Sequence, residues 1–170
     1  ASLSEAQQDS AKVLGGTLHM MLVELQRGEK DRDQIRRPRW QAGFDLAMGR
    51  SLAAVVRAQG YNLMLAQARR GMQFQNPESD TWIIQPSDAI RSGSAIAKQA
   101  ERAQEYLQRV IAQHPDTPWC LLAKRELETP LGWEWTETFT NVTPPPRPRE
   151  LPNDNPRSRP DDTVRMIERK

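Results

Sequence analysis

The stretch AIAKQAERAQEYLQRVIAQHPDTPWCLLAKRELET, residues 95–129, decides how this chain folds. Ala100, Ala103, Leu107, Val110 and Ile111 recur at spacings of three and four, which places them on one face of a helix. The opposite face carries Lys98, Gln99, Glu101, Arg102, Gln104, Glu105, Gln108 and Arg109, a solvated surface on which Glu105 and Arg109 form an i,i+4 pair. Pro115 stops this helix, because a helical proline lacks a donor and clashes with the preceding turn. Asp116 or Thr117 is placed to cap a second helix, and Pro118 suits its first position, where no intrahelical donor is needed. Trp119, Leu122, Ala123 and Glu126 or Leu127 continue with helical spacing, so the second helix folds back on the first as an αα-hairpin.

Upstream, residues 3 to about 30 read as an amphipathic helix through Val13, Leu14, Leu18, Met21, Leu22 and Leu25. Gly15 and Gly16 interrupt it and are expected to let another helix approach closely. His19 is expected at the boundary of the core or within it. The run GEKDRDQIRR, residues 28–37, is of mixed charge and is expected to be a solvated helix end or loop. Pro38 opens a long helix through Trp40, Phe44, Met48, Leu52, Val56 and Met64 to about Met72, with a bend expected near Gly60 and a cap at Gly71. Residues 81–84, Thr-Trp-Ile-Ile, read as an extended segment. It pairs with residues 131–139 or lies as an arm on the helices. Ser87, Ser92 and Ser94 compete to cap the hairpin's first helix, with Gly93 favouring the later start.

The chain has 170 residues, enough for one domain with a proper core. Apolar residues make up 37% of it and the mean hydropathy is -0.76, low for a chain that is folded throughout. Residues 142–170 account for this: they hold seven of the 13 prolines and no aromatic residue. Seven basic residues there face five acidic ones, a balance of +2 that equals the net charge of the whole chain, so the body is neutral. The expected organisation is an all-α body, a bundle of four to five helices over residues 1–141 with short extended segments, followed by a disordered Pro/Arg-rich tail over residues 142–170.

A neutral body argues against a domain made to grip nucleic acid, which needs a basic stripe. Arg147, Arg149, Arg157 and Arg159, with Arg36, Arg37 and Arg39, offer the alternative of anionic-polymer or nucleic-acid binding through the basic tail. No apolar run reaches the roughly 18 residues of a membrane span, and no signal peptide opens the chain. A start at Ala1 suits a piece of a longer protein. The one cysteine, Cys120, excludes an internal disulfide and a CxxC site, and reads as a small core residue.

The hairpin resembles tetratricopeptide-type helical repeats in the spacing of Ala103, Leu107 and Pro115, and departs from them at Val110, where a small residue is preferred. A lone repeat cannot bury its own apolar face, so its partner surface must come from elsewhere in the chain. The order LGGTLHMMLVELQR, PRWQAGFDLAMGRSLA, GYNLMLAQARRGMQF, TWIIQPSD and AERAQEYLQRVIAQHPDTPWCLLAKRELETPLGWEW, spanning nearly all of residues 11–140, resembles the C-terminal region of large bacterial proteins with a von Willebrand factor A domain upstream. That resemblance implies an accessory helical domain of a larger protein associated with the cell envelope. The A domain's DxSxS metal site has no counterpart here, so the resemblance implies no metal residue and no cofactor.

Chemistry-bearing side chains are scattered: His19, Glu24, Asp45, Glu101, Glu105, His114 and Cys120. Cys120 and His114 could approach across the turn, and an enzyme would need that contact and a third, orienting group. The expectation is therefore a non-enzymatic structural or interaction module whose partner is another protein or another domain of the parent chain. Its candidate partner-binding residues are Trp119, Trp133, Trp135 and Tyr106, aromatic types that often anchor interfaces.

Overall fold

The computed structural model describes residues 3–14 and 16–141. The expected tail over residues 142–170 lies outside them. The described chain is mostly helical, and its order is α1 (Leu3–Leu14), α2 (Thr17–Gly28), a 3₁₀ turn (Glu29–Gln34), α3 (Pro38–Arg69), β1 (Thr81–Ser87), α4 (Ser94–Gln113), α5 (Pro118–Leu127) and β2 (Gly132–Thr138).

Helix α3 is the spine. It runs unbroken for 32 residues, roughly 48 Å. Apolar and small residues fall on all its sides, the pattern of a helix covered from several directions, and α1, α2, α4, α5 and β2 all pack against it. Met48, Leu52, Ala53 and Val56 meet Ile96, Ala100, Ala103 and Tyr106 of α4 and Leu131, with Leu22 and Leu25 of α2 closing the cluster from outside. A second cluster joins Leu46 of α3, Leu107 and Val110 of α4 and Ala123 of α5, flanked by Trp119 and Leu127. The hairpin therefore forms as its spacing predicts, and its apolar face is covered by α3. A Cβ on Gly49 would stand 2.7 Å from Leu107 Cγ and 3.2 Å from the Ala103 carbonyl oxygen, so a glycine is what lets α3 and α4 cross this closely.

The hairpin turn is built by its predicted residues. His114 ends α4, Asp116 takes a left-handed φ of 58°, and Thr117 caps α5 with its hydroxyl oxygen, accepting from the Cys120 N–H at 3.3 Å. The same hydroxyl donates to the His114 carbonyl at 2.6 Å, tying the two helix ends together.

Several expectations are corrected. The body is mostly helical but not all-α, because, of the two readings of the extended segments, it is the pairing that forms: β1 and β2 run antiparallel, from Thr81 opposite Thr138 to Ser87 opposite Gly132. Pro86 and Ser87 belong to that strand, and α4 starts from Gly93, at φ 101°, with no serine side chain capping it. The first predicted helix is two helices, and Gly16 acts through its φ of 70°, with no neighbouring atom near its Cβ position, and so not through close approach. Gly60 lies within α3. Its missing side chain leaves room for Trp133 of β2 and Ser92, each 3.3 Å from where a Cβ would stand.

Candidate functional site

Gly43, Ala47, Ser51, Ala54 and Ala58 follow one another along α3 at spacings of four, four, three and four, so they form one stripe of short side chains. Two adjoining grooves open over it. One, of about 540 Å³, is walled by Leu18 and Met21 of α2 and by Trp119 and Glu126 of α5. The other, of about 700 Å³, is walled by Ala6 and Asp9 of α1 and by Tyr61 and Trp133. Both are lined by Ala54 and Arg57, so the two make one furrow along α3 with a tryptophan at either end.

The furrow's polar centre is Arg57. Its guanidinium donates to the Glu126 carboxylate at 2.5 Å and to the carbonyls of Glu126, Thr129 and Pro130 at 3.3, 3.0 and 3.1 Å. A cation on the last-turn carbonyls of a helix satisfies acceptors the helix leaves open and complements its dipole. Arg50 reaches Glu126 at 3.1 Å, so the carboxylate is shared between two arginines and is largely covered.

The four aromatic candidates fall in different places. Trp119 is half-buried and lines the first groove, with Gly43 beneath its indole nitrogen. Trp133 lines the second, stands edge-on to Tyr61 at 5.2 Å, and donates its indole N–H to the Arg57 carbonyl at 2.9 Å. Trp135, two residues on along the same face of β2, donates to the Met64 carbonyl at 3.2 Å and pins the strand further along α3. Tyr106 is a core residue, 4% exposed, with its hydroxyl on the Glu29 carboxylate. It is therefore no part of an open surface.

The charge run that reads as solvated is half a buried network. Arg32, on the 3₁₀ turn, grips Asp45 of α3 with both arms of its fork, one of them at 3.2 Å, and reaches Gln113 of α4 at 2.7 Å. Asp45 is fully buried, and Arg109 approaches it from α4 at 3.5 Å. Beside this pair Glu29 takes Arg102 at 3.0 Å together with Tyr106. The Tyr106 bond, with Arg102, holds the Glu29 carboxyl below its usual range, while burial and the Glu29 charge push the phenol up to about 12. The Asp45 bond raises Arg32 further above its already high value. One sequence signal could have found this: Asp45 stands inside an apolar helical run, where a carboxylate is tolerated only with a partner.

Of the scattered reactive side chains, His19 lies exposed on α2 and not at the core boundary. Cys120 is buried, and His114 is buried with its Nε2 free of any hydrogen-bond partner, so that nitrogen does not engage the thiol. Among the described residues no group of three His, Cys, Asp or Glu side chains could hold a metal ion, and no helix is long and apolar enough to cross a membrane. Arg147, Arg149, Arg157 and Arg159 lie outside the described residues, whereas Arg36, Arg37 and Arg39 are exposed at the start of α3. No family model, curated protein or solved structure matches the chain.

Proposed function

We propose that this chain is a non-enzymatic protein-interaction module, the C-terminal accessory part of a larger envelope-associated protein of the von Willebrand factor A-domain kind. Its partner, another protein or another domain of the parent chain, seats in the furrow along α3. The observation that carries this reading is the furrow itself: a stripe of short side chains between Trp119 and Trp133, partly open at Gly43, Ala47, Ala54 and Ala58, on a helix covered on its other sides. Short side chains expose the helix backbone to close approach, and a tryptophan at each end supplies the aromatic anchors that dominate many interfaces. The hairpin of α4 and α5 has its apolar face covered by α3, which favours a partner surface on α3 rather than within the hairpin.

The test is a pull-down from a lysate of the chain's own source with three baits: the whole chain, a version ending at Asn141, and the whole chain with Ala54→Trp. The expected result is one protein retained by the first two and lost from the third. Retention by the Ala54→Trp bait, or loss with the tail alone, would move the interface away from the furrow.

A further inference from the structure

The furrow has a basic mouth. Trp40 precedes Gly43 by three residues on the same face of α3, and it is 57% exposed. Arg36, Arg37 and Arg39 surround it in sequence and are all exposed, and the Arg39 guanidinium lies over the Trp40 ring at 4.9 Å. The acidic groups of the preceding turn are engaged elsewhere, Asp33 on Arg32, Glu29 on Arg102 and Asp31 with Gln34 at 3.5 Å, and Asp45 of α3 is held by Arg32. No acidic residue occupies the first turn of α3. Three guanidinium groups therefore stand without a carboxylate among the described residues. The backbone that carries them is held in place, because Pro38 fixes the entry to the helix and the Gln41 side chain donates to the Ile35 carbonyl at 2.7 Å. At the other end of the furrow the charge is balanced, with Asp9 paired to Lys12 at 2.7 Å, and in its middle Glu126 is neutralised by Arg50 and Arg57.

We infer that the furrow takes an amphipathic helix whose apolar face lies on the small-residue stripe and whose one end is acidic, meeting Arg36, Arg37 and Arg39 at the mouth. This rests on the interaction reading above and adds the partner's chemistry. From Trp40 to Tyr61 the face runs roughly 30 Å, the length of a helix of about 20 residues. Helix-in-groove docking is read through apolar anchors at i, i+3, i+4 and i+7, which the alternation of open stripe and tryptophan walls would receive. The unpaired guanidinium fork suits carboxylates bidentately, and it orients the helix, since a helix reversed in the furrow would leave its acidic end at the balanced Asp9–Lys12 pair.

The experiment uses the whole chain as target for a displayed library of 20-residue peptides, with Ala54→Trp and the triple variant Arg36→Glu, Arg37→Glu, Arg39→Glu as counter-targets. Far-ultraviolet circular dichroism checks that each target is folded, and the triple variant alters only exposed side chains. Expected are peptides with an apolar helical stripe and aspartate or glutamate at one end. Their association should slow by about tenfold on the triple variant, recover when the peptide's acidic end is changed to lysine, and vanish on Ala54→Trp. Peptides blocked by Ala54→Trp but indifferent to the charge reversal would overturn the acidic-end inference and leave the furrow reading standing. No selected peptide, or peptides indifferent to Ala54→Trp, would overturn both. Two further measurements exclude other occupants: a dimer in sedimentation velocity that Ala54→Trp dissociates would assign the furrow to a second copy. Flotation with phosphatidylglycerol vesicles that the triple variant abolishes would assign the arginines to a membrane surface. Either result would overturn the inference.

Discussion

Asp45 is the residue on which the packing of the charged turn depends. It is fully buried, and its charge is tolerated because Arg32 brings a complete fork and Arg109 approaches from α4. Removing one partner of a buried pair is worse than never having had it, since the remaining charge has lost its water without compensation. We expect Asp45→Asn to lower stability by about 3 kcal/mol in urea denaturation, and a double change, Asp45→Asn with Arg32→Met, to recover part of the loss. The neighbouring Tyr106 makes a pH statement. Its pKa rises from 10.0 unfolded to about 12 folded, so the fold keeps a proton that the unfolded chain gives up. That contribution is present below pH 10 and is lost as pH rises from there towards about 12. Glu29 works at the other end: held below its ordinary 4.5, it contributes above that pH and its contribution is lost as pH falls through the folded value. Midpoints of urea denaturation measured against pH should therefore show an alkaline decline in the native chain that is absent from Tyr106→Phe. An unchanged alkaline decline would assign it to other groups.

Among the elements, glycines mark the contacts that admit no side chain. A Cβ at Gly132 would stand 2.8 Å from the Ser87 carbonyl oxygen and closer still to that of Ala89, both backbone atoms, whereas at Gly49 its two nearest neighbours would be Cγ and Cδ2 of the Leu107 side chain, with the nearest backbone atom, the Ala103 carbonyl oxygen, at 3.2 Å. Gly132→Ala should thus be the more damaging, by about 3 kcal/mol, and Gly49→Ala the milder, by about 1 kcal/mol, in thermal unfolding. Thr117→Ala removes the α5 cap and should lower stability by about 1 kcal/mol. Much at this scale was legible from the sequence. The hairpin followed from Pro115, Thr117 and Pro118, whose effects are local, and α3 from a periodicity too long to mistake. The break at Gly16 was not legible, because a glycine in a helical pattern signals equally a close approach or a positive φ, and only the three-dimensional surroundings separate the two. Nor was the burial of Arg32 or the pairing of Glu29 with α4, since a mixed charge run looks the same solvated or folded onto α4. The furrow lay half in view. Its small residues recur at helical spacing in the sequence, but which of them stay uncovered depends on where α1, α2 and α5 come to lie.

Across the whole molecule the sheet acts as a clasp. β1 precedes α4 and β2 follows α5, so pairing them closes the chain around the hairpin, and a two-stranded sheet has little stability of its own. Its support comes from α3, through the indole N–H groups of Trp133 on the Arg57 carbonyl and Trp135 on the Met64 carbonyl. Because the Arg57 side chain also holds the end of α5, the strand, the helix end and one wall of the furrow are fixed by the same residue. Changing both tryptophans to phenylalanine keeps most of the apolar contact and deletes two hydrogen bonds of about 1 kcal/mol each. The clasp should then open locally. Hydrogen exchange of the β1 and β2 amides should accelerate by about tenfold or more, while amides of α3 around Leu52 and of α4 around Leu107 keep their native protection. Equal acceleration in α3 and α4 would mean that the sheet and the helical core open as one cooperative unit. In that case a partner seated against Trp133 would stabilise the entire body instead of the clasp alone.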